Sequence, residues 1–543
     1  ITLKKLEEKL LSVKEIVYES ATHFNLDPFQ LGAILIDEMA RMSPFEEIIE
    51  DEFNNIIPLE AQLIYLTICV LSRLRVQVRA GIISRLYGIP FASFKERFFK
   101  PLEHIVYDNF SSIIRDYVYS ARHSHIAEIV FERILVNPEK RYDNYIKCLK
   151  ELNIDYESDR TAFRKMIQAR TLFDTFPNHE HVVQIYKVAE QIADDDPNLY
   201  HQMAIYEMLR PNGNLNASAD LLDKANNMAP RNPFIKHSFA ELCLKRADNA
   251  RTDLEKESFL AEAEKRARSL LGTSDSAYAY HTLIKVSIEK VKIAIKKETP
   301  EDSVIENIIY EAEKILSDAH QQFPENSYLL DADAQLAELI ADSERVYKSL
   351  YKAFDANNRN SFVALRLART LKHKKDIPSA LKILDKAIDA NRNEKKLHFA
   401  YAILLMDVNE NNKKGDLIAY HLKRSFSPGD KNYISQLLYG RQLFINGALD
   451  EAKEFFRKLR DLRVSYELGY KLRYPLSDEY SGEVKEKQPM FCFIVRDGKR
   501  DHIFCHISNV SENIWKDIVK GSRVRFKIAF NLNGPNAFDI EIL

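Results

Sequence analysis

Upstream of about residue 476 the apolar positions of the chain recur at i, i+3, i+4 and i+7, with alanine, lysine and glutamate filling the places between. Such stripes wind onto one side of a 3.6-residue turn, so this stretch predicts a succession of amphipathic helices. Downstream the period drops to two, in short β-branched and aromatic runs separated by turn residues, which predicts strands. Glycine marks the same change, since four of the 14 glycines (Gly482, Gly498, Gly521, Gly534) fall in the last 68 positions. At 543 residues the chain is too long for one core, and several domains or an array are expected.

The helical stretch repeats itself. Residues 312–319 (AEKILSDA), 346–353 (VYKSLYKA), 380–387 (ALKILDKA) and 452–459 (AKEFFRKL) share one order of small and large side chains, and Ser425 closes a weaker copy. The copies end at 319, 353, 387, 425 and 459, in steps of 34, 34, 38 and 34. A 34-residue step made of two short helices resembles the tetratricopeptide repeat, in which a small residue on the second helix lets neighbouring backbones approach. Earlier copies at 219–225 and 263–267 need insertions or longer helices, and Pro230, Pro324 and Pro428 fit stops after second helices. Repeats of this kind form surfaces that hold peptides or proteins, so a protein ligand is expected there. An irregular helical bundle is the alternative.

The first 150 residues do not follow the repeat. Residues 1–57 predict a helical arm of two or three helices, with Asp27 and Pro28 as cap and first-turn residue of the second. Residues 58–150 predict three helices (60–74, 79–89, 92–108), a hairpin around 111–119 and a helix over 123–135, an order that resembles a winged-helix fold. The candidate recognition helix, ASFKERFFKPLEHIVYD, spends its apolar residues on a core face and mixes acids with its bases. A structural role is favoured over DNA reading.

Arm, winged-helix unit and repeats in this order resemble the part of a STAND-type signalling ATPase that follows its nucleotide-binding core. The likeness centres on ARHSHIAEIVF (121–131), where that family carries a Met-His-Asp motif. There the histidine meets the β-phosphate of ADP, so the resemblance implies a nucleotide-sensing role for His123 and its neighbour Arg122. Arg122 stands for the methionine and Ser124 for the aspartate. The alternative is that His123 and His125 are ordinary polar residues at a helix start. The chain contains no GxxxxGK[ST] loop, so no cofactor is expected in it, and any ADP or ATP contact would run through a core preceding Ile1. The resemblance further implies a protein trigger sensed by the repeats, oligomers on activation, and bacterial antiphage defence or signalling.

The segment 482–543 resembles a cold-shock domain, a five-stranded barrel of OB type, on GEVKEK, PMFCFI, DHIFCHISN, GSRVRFKI and NGPNAFDI. Such domains bind single-stranded RNA or DNA by stacking bases on aromatics of two adjacent strands. The resemblance assigns that platform to Phe491, Phe493, Phe504 and His506, with Lys485 for phosphate. Here Ile507 occupies an aromatic position, Glu486 the first-strand tryptophan position, and Met490 and Cys492 the two glycine positions. Residues 476–543 carry ten Lys plus Arg against ten Asp plus Glu. Phe491 and Phe493 packing the barrel against the last repeat is the alternative, and Trp515 is expected in the core.

The fold class expected is thus mainly α: a helical arm (1–57), a winged-helix-like domain (58–150), a tetratricopeptide-repeat solenoid (151–475) and a cold-shock-like barrel (476–543). A net charge of −2 and a pI near 6.8 argue against coating nucleic acid through bulk charge, so any contact must be local. With no membrane-length apolar run and no secretion signal, a cytoplasmic location without membrane contact is expected. Five scattered cysteines predict buried free thiols. His179–Glu180–His181 has the wrong spacing for a helical zinc pair, Asp194, Asp195 and Asp196 form a loop, and no nucleophile or dinucleotide motif occurs, so no catalysis is expected. Two functions follow: a non-catalytic sensor portion of a STAND-like ATPase, or an adaptor whose barrel binds single strands and whose repeats bind a protein.

Overall fold

The computed structural model describes residues 45–543 except 91–92, 112–115, 273–275, 298–299, 392–393, 409–411, 428–429, 431, 461–463, 465–468 and 500. The two helices expected before residue 45, with Asp27 and Pro28, lie outside the described residues. The chain is mainly helical, with a closed β-barrel at its carboxy end, and divides between Ala341 and Asp342 into two compact units.

In the first unit, helices Phe45–Asn54 and Leu59–Ser72 lead to strand β1 (Val78–Arg79), helix Ala80–Tyr87, a hairpin of β2 (Val106–Ser111) and β3 (Asp116–Ala121), and helix Ser124–Ile134. The strands form an antiparallel sheet in the order β1-β3-β2, with Val106 opposite Ala121 and Ser111 opposite Asp116. The helix expected over 92–108 is not continuous. A π-helical turn at Lys95–Phe99 and a 3-10 turn at Lys100–Leu102 replace it, and β2 starts at Val106. Pro101 has no N–H to give and its ring crowds the preceding turn, so the helix stops there. The β-branched Val106 and aromatic Tyr107 then pair with β3. One buried cluster runs from Ile49 to Tyr206, across the boundary placed at 150. Within it the Arg79 guanidinium grips Asp159 with Nε–Oδ1 at 2.7 Å and Nη2–Oδ2 at 2.8 Å, and lies 3.7 Å over the Tyr156 ring.

Paired helices then repeat through both units, as the period predicts. The alanines of the repeated segments, Ala225, Ala263, Ala267, Ala312, Ala319, Ala353, Ala380 and Ala387, are all fully buried on second helices, where a larger side chain would force the helices apart. First helices start at Ser327, Ser361, Lys395 and Tyr433, again 34, 34 and 38 apart. The wider steps between earlier copies are taken up by longer helices, first Pro233–Asp248 and Asp253–Arg268 of 16 residues each, then Ser276–Lys296 and Asp302–Gln322 of 21 residues each. Asn326, Asn360 and Asn432 cap first helices and Asp342 and Asp376 second ones, each accepting a backbone N–H.

Histidines link successive first helices of the first unit. His201 Nε2 lies 2.7 Å from Ser238 Oγ, His237 Nε2 lies 2.9 Å from Thr282 Oγ1, and the His281 ring meets Tyr328 at 6.0 Å. Burial, reinforced by the neighbouring His237, pushes the His201 imidazole down to about 4, and burial also lowers His237. In the unfolded chain a histidine titrates near 6.5. The unfolded state therefore takes up protons that the folded state refuses, and stability falls as the pH drops from about 6.5 towards 4. His201 alone is expected to cost on the order of 2 kcal/mol between pH 7 and pH 5. Urea titrations at the two pH values, read by hydrogen exchange in helices Pro197–Leu209 and Pro233–Asp248, check this, and His201→Gln should flatten the dependence.

The barrel closes in the order β4 (Glu479–Lys487), β5 (Phe491–Arg496), β6 (His502–His506), β8 (Gly534–Ile542) and β7 (Arg523–Asn531). Alternate residues Val484, Cys492, Ile494, Ile503, Cys505, Val524, Phe526 and Ile528 fill its interior. Its core is continuous with that of the last helix pair, Tyr433–Ile445 and Leu449–Arg460.

Candidate nucleic-acid interface

Strict alternation along β5 and β6 decides which side chains leave the barrel. Cys492 pairs with Cys505 and Ile494 with Ile503, all buried, so the pairs between them, Phe491 with His506, Phe493 with Phe504 and Val495 with His502, face outward. The three phenylalanine rings form one half-buried cluster: Phe491 and Phe504 have centroids 5.6 Å apart and tilted by 31°, and Phe493 lies 5.7 Å from each. His502 joins at 6.5 Å from Phe493. His502 is not among the platform residues that the cold-shock resemblance assigns, although its parity with Phe504 and His506 marks it for the same face.

Phe491, Phe493 and Phe504 are thus brought together, while the other two candidates are committed to local partners. His506 Nδ1 accepts the Ser508 N–H at 3.2 Å and caps a short 3-10 turn, Ile507–Asn509. Lys485 pairs with Glu483 at 2.8 Å. Other cations of the barrel are also neutralised, Arg523 by Asp497 at 2.6 Å and Lys527 by Asp539 at 2.7 Å. Those hydrogen bonds hold the Asp497 carboxyl below, and the Arg523 and Lys527 groups above, their ordinary ranges. Among the described barrel residues Arg496, Lys516 and Arg525 are ion-paired as well, with Asp501, Glu512 and Glu541, and the aromatic faces are the main resource of this side.

Docking uses a different side. Phe530 of β7 packs edge-on to Phe444 at 5.4 Å and stacks on Phe456 at 6.2 Å with 22° between planes. Residues leading into the barrel lie along β7, with Arg473 and Phe530 exchanging backbone hydrogen bonds of 2.7 and 3.0 Å. Phe491 and Phe493 are therefore not the residues that hold the barrel to the last repeat. Trp515 is buried, as expected, donating to the Pro489 carbonyl at 3.3 Å under the Lys487 ammonium. All five cysteines are buried free thiols.

Arg122 and His123 sit where β3 meets helix Ser124–Ile134. Arg122 is buried and ion-paired with Glu52. His123 is the N-cap, its Nδ1 accepting the His125 N–H at 3.0 Å. His179 and His181 turn to different partners, Tyr206 and Glu139. Among the described residues no group of three His, Cys, Asp or Glu side chains could hold a metal, and no helix is long and apolar enough to cross a membrane.

Residues 481–543 match the family model described as the 'Cold-shock' DNA-binding domain. No curated protein matches the chain. Solved structures similar to it at low identity include yeast Tom70 (13% identity over 84% of this chain and 88% of that one, TM-score 0.38). A Signal Transduction ATPase with Numerous Domains (STAND) protein with a tetratricopeptide repeat sensor from Pyrococcus horikoshii is similar at 13% identity (82% and 71%, TM-score 0.32). The human IFIT1 dimer with m7Gppp-AAAA is similar at 16% identity (74% and 95%, TM-score 0.31).

Proposed function

We propose that this chain is a non-catalytic adaptor: its barrel holds single-stranded nucleic acid on Phe491, Phe493 and Phe504, and its helical repeats hold a protein. The observation that carries this reading is the division of labour on the barrel. The β7 side is consumed by Phe444 and Phe456, while the aromatic cluster of β5 and β6 faces away from the core. Half-buried rings that are needed neither for the barrel interior nor for docking fit a surface on which bases stack.

The test is a fluorescence titration of the whole chain with short RNA and DNA oligonucleotides. Phe504 stands within 5.7 Å of both other rings, so Phe504→Ala is expected to weaken binding by 1–3 kcal/mol, about 5- to 150-fold. Its thermal melt should stay close to that of the parent. Equal affinity of variant and parent would sink the platform reading. With most barrel cations paired, the logarithm of affinity should fall only gently with salt.

The second reading, a regulatory portion of a STAND-type ATPase that senses a protein trigger, draws support from the first unit. Among the described residues the order of helix, short strand, two helical segments and hairpin over 59–121 supports a winged-helix-like reading, as does the next helix, which His123 caps. Its test is the upstream reading frame: a GxxxxGK[ST] loop there would support it, and a frame without one would remove it.

A further inference from the structure

The β4 strand contributes a residue to the aromatic face that the platform reading leaves unused. Val484 pairs with Ile494 inside the barrel, and simple alternation would then set Lys485 opposite Phe493. A β-bulge intervenes between Val484 and Glu486, and the partner of Phe493 is Glu486. Directly opposed residues of an antiparallel pair share a face, so the bulge sets a carboxylate beside the phenylalanine cluster. Glu486 is exposed, and Gln488 Nε2 donates to its Oε1 at 3.1 Å, which restrains the carboxylate on the rim of the platform.

A carboxylate there does not serve phosphate, which it repels. It accepts hydrogen bonds from base edges. Uracil offers one N–H between two carbonyls; cytosine and adenine each offer an amino group beside a ring-nitrogen acceptor that faces the second carboxylate oxygen unfavourably. Guanine alone presents two adjacent donors, N1–H and N2–H2, with the spacing of the two oxygens of a carboxylate. The geometry points to Glu486 as a specificity-determining residue that selects guanine at the stacking platform of a single strand. This rests on the platform reading above and adds a base preference to it.

The experiment compares three oligonucleotides on the whole chain: an all-uridine strand, the same strand with one central guanosine, and that strand with inosine in place of guanosine. The guanosine strand is expected to bind about 5- to 150-fold more tightly than the all-uridine strand, the range of a bidentate base contact. Inosine lacks the 2-amino group and should lose most of that gain on the unaltered protein, so this arm needs no variant. In Glu486→Gln, with folding checked by its melt, the guanosine-to-uridine ratio should collapse to within about threefold, because the amide keeps one acceptor and turns a donor towards the guanine donors. Equal binding of the three strands, weakened in every case by Phe504→Ala, overturns the guanine assignment and leaves the platform standing. A ratio that survives Glu486→Gln places guanine recognition elsewhere and also overturns it. No binding of any strand removes the platform and this inference together.

Discussion

Asp159→Ala is expected to cost the first unit 3–5 kcal/mol, because it leaves the Arg79 guanidinium buried without its partner. The side chains of Arg79 and Asp159 are only 5% and 1% exposed, so water cannot replace the lost carboxylate. Asp116, with an oxygen 3.7 Å from Arg79 Nη1, is too far to replace the two short bonds. Arg79 belongs to β1, which pairs with β3, and Asp159 also accepts the Asn153 N–H at 3.1 Å. The loss should therefore loosen both the three-stranded sheet and the start of helix Glu157–Met166. Urea unfolding followed by hydrogen exchange at Val118 and Tyr119 measures it. A paired replacement, Arg79→Met with Asp159→Leu, should recover most of the stability, since two apolar side chains leave no buried charge. A single variant as stable as the parent would show that the pair is solvated in solution.

Phe456→Ala is expected to destabilise the second unit by a similar 3–5 kcal/mol, the range for removing a buried phenylalanine. Its ring is 2% exposed and is shared between the last helix pair and the barrel. A Cβ built at Gly440 would lie 2.6 Å from Phe456 Cζ, and one at Gly534 3.5 Å from its Cγ. Gly440 is thus glycine because the ring fills the space a side chain would take. Gly440→Ala alone should cost about 1–3 kcal/mol through overpacking, and much less in the Phe456→Ala background, where the space is open. Denaturant midpoints of the four proteins in this cycle give the coupling directly. Additive losses would mean that the ring moves aside freely and that the junction is looser than its geometry implies.

That junction and the aromatic face lie on different parts of the barrel. The segment leading into the barrel bonds edge to edge along β7, and Phe444, Phe456 and Phe530 stack where the last helix pair and the barrel share one core. Loss of Phe456 should accordingly loosen the barrel from the repeat, whereas loss of Phe504 should change binding and leave the junction intact.

The order of residues by itself determined the repeat and the change of class near residue 476. Buried alanines such as Ala319, Ala353 and Ala387 recur at the 34-residue step because each sits at the same fully buried place on the second helix of its pair, and that demand is written locally in every copy. The alternation of FCFI and IFCH likewise fixes which side chains fill the barrel, since a strand has only two faces. Pro101 was legible as a helix breaker, yet its consequence, a strand from Val106 in place of the end of a helix, depended on β3 being present to pair with it.

Tertiary structure alone decided the rest. Arg79 and Asp159 lie 80 positions apart, and nothing in either local pattern announces the other. The choice of the β7 side for docking rests on Phe444 and Phe456, which belong to another part of the chain. The bulge that sets Glu486 opposite Phe493 is a property of two strands in register. Periodicity states that a face exists, but which partner covers it is settled by contacts between distant residues, and those appear only when the chain has closed on itself.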